Sequence, residues 1–154
     1  MKKGSTLFLK AAIIIIGAII LAACVFVLPV GIRAEDADGY RPILMGMYLP
    51  AIPFFIALYH ALKLLGHIDA DRAFSDLSVK ALGSISYCAA AIGLLYAAGM
   101  PYIFRVADND DAPGVVVLGL VVIFAASVIA VLAAVLGRLL SDALAIKSEN
   151  DLTV

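Results

Sequence analysis

The run Ala112-Pro113-Gly114-Val115-Val116-Val117-Leu118-Gly119-Leu120-Val121-Val122-Ile123-Phe124-Ala125-Ala126-Ser127-Val128-Ile129-Ala130-Val131-Leu132-Ala133-Ala134-Val135-Leu136-Gly137 holds 26 residues without one charged side chain. A helix needs about 20 mostly apolar residues to cross the hydrocarbon core of a bilayer, so this stretch is long enough to span it. Three more runs share the property, Ala11 to Ile32, Pro42 to Leu62 and Ala81 to Phe104, of 22, 21 and 24 residues. Together the four take 93 of the 154 residues and leave only short loops and tails in water, too little for a separate soluble domain. Composition agrees, with 64% hydrophobic and 15% charged residues against about 25% charged in an ordinary soluble domain. The predicted fold is all-α, a four-helix transmembrane bundle of antiparallel spans forming a single integral membrane domain over residues 1–154.

Lysine and arginine placement orients the bundle. The N-terminal tail, the loop between spans two and three and the C-terminal tail hold Lys2, Lys3, Lys10, Lys63, Arg72, Lys80, Arg138 and Lys147, whereas the other two loops hold Arg33, Arg41 and Arg105. Eight against three in short segments predicts cytoplasmic N and C termini in a bacterial cytoplasmic (inner) membrane. Glu35, Asp36, Asp38, Asp108, Asp110 and Asp111 make the outer loops acidic.

The first span contains Leu21-Ala22-Ala23-Cys24, the form of a lipoprotein cleavage box, but the apolar run continues through Val25-Phe26-Val27-Leu28, which argues against processing there. Cys24 and Cys88 differ in depth by roughly 9 Å, at 1.5 Å of rise per residue, and read as two small buried thiols rather than a disulfide. Pro50 and Pro53 lie inside span two, where they withhold amide donors from the carbonyls of Gly46 and Leu49 and predict a kink near mid-membrane. Carbonyls freed at that depth need a neighbour, water or a ligand.

Small residues recur at every fourth position in spans three and four, as Ala89, Gly93 and Ala97 and as Ala126, Ala130 and Ala134. Such ridges let two backbones approach closely, so these spans are expected to form the tightest pair, with Gly119 off the ridge. Ala133 and Gly137 offer a second small face, for packing within the bundle or for a homo-oligomer.

Chemical groups are sparse. No Asp, Glu, Lys or Arg lies within a span, where ion-coupled carriers and proton pumps usually place them. His60 sits at the cytoplasmic end of span two and reads as an interfacial side chain. No nucleophile elbow, P-loop or metalloprotease motif is present, and Asp108 to Pro113 lacks the spacing of a calcium-binding loop. The expectation is a non-enzyme with no cofactor and no metal. Without a domain-wide basic surface, no direct contact with nucleic acid is expected.

The polar segments are best organised on the cytoplasmic side. Ser75 suits an N-cap, with Asp76 in the first turn and Phe74 and Val79 placed as a hydrophobic staple. Beyond Gly137, Leu139, Leu140, Ala143 and Leu144 keep helical spacing opposite Arg138, Ser141 and Asp142, so span four should continue as an amphipathic extension. The residues from Lys147 to Val154 read as a mobile tail.

The segments Ala51-Ile52-Pro53-Phe54-Phe55-Ile56-Ala57-Leu58-Tyr59, Ala73-Phe74-Ser75-Asp76-Leu77-Ser78-Val79-Lys80-Ala81-Leu82, Asp110-Asp111-Ala112-Pro113-Gly114 and Ile146 to Val154 resemble the bacterial membrane family known as domain of unknown function 2975. The resemblance implies a small four-span protein, without an assigned activity, often encoded beside a Cro-like helix-turn-helix regulator. It brings no active site, only a cytoplasmic transcription regulator as the implied partner. The expected function is therefore a sensor or regulatory interaction protein, docking its partner through Asp69, Asp71, Arg72, Ser75, Lys147, Glu149 and Asp151. The alternative is a small transporter or efflux component using the kinked second span.

Overall fold

A computed structural model of the chain describes residues 3–35, 39–70 and 75–153. Among them there is no strand. Four helical stretches are long and apolar enough to cross a membrane, Gly4–Arg33, Arg41–Asp69, Asp76–Asn109 and Pro113–Asn150. The first comprises α1 (Lys3–Ala22), a π-helical segment (Ala23–Val27) and α2 (Leu28–Arg33), and the second comprises α3 (Arg41–Gly46) and α4 (Tyr48–Asp69). The third and fourth are single helices, α5 (Asp76–Asn109) and α6 (Pro113–Thr153).

Local chemistry sets the helix ends. Pro42 stands in the first turn of α3 and Pro113 opens α6, positions where a missing amide donor costs little. The Ser75 hydroxyl accepts from the Ser78 amide at 3.4 Å, and Asp76 complements the dipole of the first turn of α5. Phe74 lies outside the described residues. At its other end α5 stops with Asp111 at φ 52°, the Ala112 amide reaching the Ala107 carbonyl at 2.8 Å and the Asp111 amide reaching Asp108 at 3.4 Å. This is a Schellman arrangement, with an aspartate in the left-handed position that glycine usually takes.

The spans pack in chain order, α1 on α4, α4 on α5 and α5 on α6, the last interface being the most extensive. Both ends of the described chain emerge on one side, here called the terminal face. The opposite side is the loop face.

The α5–α6 seam is built from small residues on a different stripe from the four-residue ridges. Ala89 and Gly93 are buried, and a Cβ on Gly93 would meet the Ala126 Cβ at 3.5 Å. Ala97 is exposed, and the seam continues instead through Met100, Ile103 and Ala107. On α6 the buried positions are Gly119, Ala126, Ala133 and Gly137, with Ala130 half-buried and Ala134 exposed. Four residues advance a helix by about 400°, so a four-residue stripe turns away by roughly 80° over two steps, whereas steps of seven stay nearly in line. Gly119, assigned to no ridge by its spacing, faces Met100 so closely that a Cβ would lie 2.8 Å from the Met100 sulfur. The Ser86 hydroxyl crosses the seam to donate to the Ala130 carbonyl at 2.8 Å.

α6 keeps its helix to Thr153, across the segment whose polar composition suggests a mobile tail. No glycine or proline follows Gly137 to stop it. Its 41 residues span about 60 Å at 1.5 Å each, twice the hydrocarbon thickness of about 30 Å.

Inserting bulk at the seam should separate the two kinds of alanine. Ala126→Leu and Ala133→Leu are expected to lower stability in detergent by about 1–3 kcal/mol, the usual cost of overpacking, while Ala97→Leu and Ala134→Leu are nearly silent. Unfolding midpoints of the four variants decide it, and equal losses at all four would place the seam wrongly.

Candidate functional site

The irregular backbone lies in the loop-face half of spans one and two. In span one the Leu28 amide bonds to the Ala23 carbonyl, five residues back, which is the π register. That leaves the Cys24 carbonyl without an amide. Its α-helical donor, Leu28, is already committed, and its π donor is Pro29, which has no N–H. The Tyr48 hydroxyl fills the vacancy, donating to the Cys24 carbonyl at 2.8 Å. In hydrocarbon, where water cannot substitute, such a carbonyl requires a partner.

Span two loses its regular helix at a single residue. Met47 separates α3 from α4, three residues before Pro50, and its φ and ψ of −68° and −20° differ little from helical values. Pro50 and Pro53 offer no amides to Gly46 and Leu49, so the ladder lapses there. Pro50 is buried, and Pro53 lies within α4. Below the break α4 packs along α5, while above it α3 leans on α2.

A crevice of about 380 Å³ lies between α3, the first turn of α4 and the loop-face half of α5. Its walls are apolar apart from two tyrosines. Tyr96 is half-buried. Tyr102 donates to the Gly39 carbonyl at 3.0 Å, tying α5 to the first loop. Beside that loop, partial desolvation and then the neighbouring Asp110 carboxylate raise the Tyr40 phenol above its ordinary pKa. Arg41 donates from Nε to the Ile32 carbonyl at 2.8 Å.

On the terminal face, Lys10 of α1 and Asp69 at the end of α4 form an ion pair at 2.6 Å. Asp69, expected to face a partner, thus joins two spans of its own chain. Asp71 and Arg72 lie outside the described residues. Ser75 caps α5, as above. Lys147 and Glu149 are exposed on α6, and Asp151 lies on its last turn. No spacing rule pairs Lys10 with Asp69; the available signal is a base in the early turns of one span and an acid at the end of the next, on the same side of the bundle.

Other candidate groups stay apart. Cys24 and Cys88 are free thiols. His60 packs edge-on against Tyr59, whose ring lies 5.5 Å from the Lys63 ammonium. Among the described residues no three His, Cys, Asp or Glu side chains are grouped to hold a metal. Asp36 and Asp38 fall outside them.

Four apolar spans with loop-half irregularity define a small multi-span helical membrane protein. The chain belongs to the family described as protein of unknown function (DUF2975), whose model matches residues 29–154. It is similar over its whole length to the uncharacterized membrane protein YoaS of Bacillus subtilis (strain 168), with 52% identity over 161 aligned residues covering 100% of each chain. No solved structure matches it.

The clasp at Cys24 yields a double-mutant test. Tyr48→Phe should cost about 0.6–2 kcal/mol, the range for hydrogen bonds between spans. Pro29→Ala restores a backbone donor to the same carbonyl, so in that background Tyr48→Phe should cost far less. Equal losses in both backgrounds, measured by equilibrium unfolding in detergent, would show that the hydroxyl does not answer the missing amide.

Proposed function

We propose that the chain is a sensor or regulatory interaction protein of the bacterial cytoplasmic membrane, with its terminal face inside the cell and a helix-turn-helix regulator as its partner. The carrying observation is the length of α6. From Arg138 to Thr153 it continues for about 24 Å at 1.5 Å per residue, bearing Lys147 and Glu149 beside apolar side chains as open as Ile146 at 62% and Leu152 at 84% exposure. A helix that leaves the bilayer with polar and apolar side chains both unburied suits docking on a soluble protein. The inward orientation is supported by the lysine and arginine asymmetry, and the partner class by the gene context that the family resemblance implies. The reading assigns the chain no catalysis and no direct contact with nucleic acid.

A small transporter or efflux component would draw on the break at Met47. Among the described residues the crevice there has no charged side chain on its walls, which disfavours an ionic or strongly polar cargo.

Two measurements test the proposal. Cysteine substitutions at Asp38 and Asp110 should react with an impermeant maleimide on intact cells, and those at Asp71 and Thr153 only after lysis; the reverse pattern defeats the orientation. Deleting Lys147 to Val154 should abolish crosslinked recovery of the regulator and alter its target-gene expression while leaving the spans folded. Pro50→Ala and Pro53→Ala should leave both readouts unchanged. A phenotype confined to the proline variants would favour transport.

A further inference from the structure

We propose that the crevice between α3 and α5 is a lipid site that holds one acyl chain of the loop-face leaflet. Its depth fits that occupant. The walls run from Pro42, at the start of span two, to Pro50, eight residues or about 12 Å deeper, against a leaflet hydrocarbon depth of roughly 15 Å, half the bilayer core. Its chemistry fits as well, because apolar side chains and two tyrosines make up the walls and, among the described residues, no charged group borders them. It opens sideways toward lipid, since Leu49 on one rim and Leu94, beside the other, are 55% and 71% exposed.

The void is built into the sequence at two points. Gly46 and Gly99 stand on opposite walls, and a Cβ placed on either would meet nothing within 4 Å. By contrast a Cβ on Gly119, in the α5–α6 seam, would strike Met100. The seam glycine permits close packing of protein against protein, whereas the crevice glycines leave room that no side chain of the chain occupies. Glycine inside a helix costs about 0.5–1 kcal/mol relative to alanine; open space at a glycine is not peculiar to the crevice, since Gly83 has it too, but Gly46 and Gly99 are the two that border this volume. A bilayer supplies acyl chains at this depth, and a chain lying between helices exchanges lipid contact for contact with both walls. The site is separate from the docking extension of α6, and the inference stands whether or not the regulator reading does.

Photocrosslinking tests it. The full chain is reconstituted in phosphatidylethanolamine and phosphatidylglycerol vesicles containing a phospholipid with a diazirine in its acyl chain, irradiated, digested and mapped by mass spectrometry. Adducts should be several-fold enriched at Met47, Tyr96 and Gly99 over lipid-exposed Phe124 on α6. Gly99→Leu, which fills the crevice from a site with open space at its Cβ, should remove that enrichment without lowering the unfolding midpoint. Gly83→Leu, with equally open space but outside the crevice, should keep it. Uniform labelling along all exposed positions, or enrichment unchanged in a folded Gly99→Leu variant, would reduce the occupant to ordinary surrounding lipid and overturn the proposal. Protection of the crevice from label in a stable dimer would assign it to a second copy and overturn it equally.

Discussion

A backbone carbonyl inside hydrocarbon has no water to fall back on, and much of the irregular half of this protein follows from one that lost its amide. At Cys24 the donor is missing because the helix register shifts at Leu28 and the next residue is Pro29. The substitute comes from another span, through Tyr48. Because Tyr48 is the first residue of α4, the bond fixes where that helix begins against span one. With α4 anchored there, and with Pro50 and Pro53 unable to support the ladder above it, α3 is a separate segment that touches both α2 and α4. The crevice toward α5 lies alongside that segment.

The other half of the molecule obeys a different rule. Between α5 and α6 there is no hydrophobic gain from association, since lipid is as apolar as the side chains, and close approach of backbones is what binds. Gly93 against Ala126, Gly137 against Leu82 and the Ser86 bond to the Ala130 carbonyl meet that requirement along one seam. Pro101 interrupts no helix here. α5 passes through it as one element of 34 residues, so a proline within a span does not by itself dictate a break.

That contrast bears on what could be read in advance. Four uncharged runs longer than a bilayer needs leave little choice of fold, so the spans are legible from length alone. The pairing of spans three and four is legible from their small residues, but its facing is not. A stripe of steps of four drifts around the helix, and only the seven-residue spacing of Gly119, Ala126 and Ala133 keeps to the seam. Pro50 and Pro53 announce a disturbance in span two, yet the crevice depends on where α3 comes to rest, and that is set by a hydroxyl 24 residues away in sequence from the carbonyl it satisfies. Nothing local marks Tyr48 as that donor. Asp69 is similar: a carboxylate at a helix end reads as a surface group until Lys10, on the neighbouring span, is seen to reach it.

The two halves are joined in a way that gives the crevice a mechanical consequence. Of its walls, α3 ends at Gly46 and α4 contributes only its first turn, whereas α5 runs unbroken from Tyr102 and Gly99 down to its cap at Ser75 on the terminal face. α5 is also the helix on which α6 is most extensively packed. A displacement of α5 at the crevice is therefore resisted by that close-packed seam, and packed interfaces shift as units rather than deform smoothly. The unit that would move includes α6, whose far end projects beyond the bilayer. An acyl chain entering the crevice and a protein docking on the extension would thus act on the same pair of helices, and where each binds one position of that pair more tightly than the other, the two affinities are coupled reciprocally.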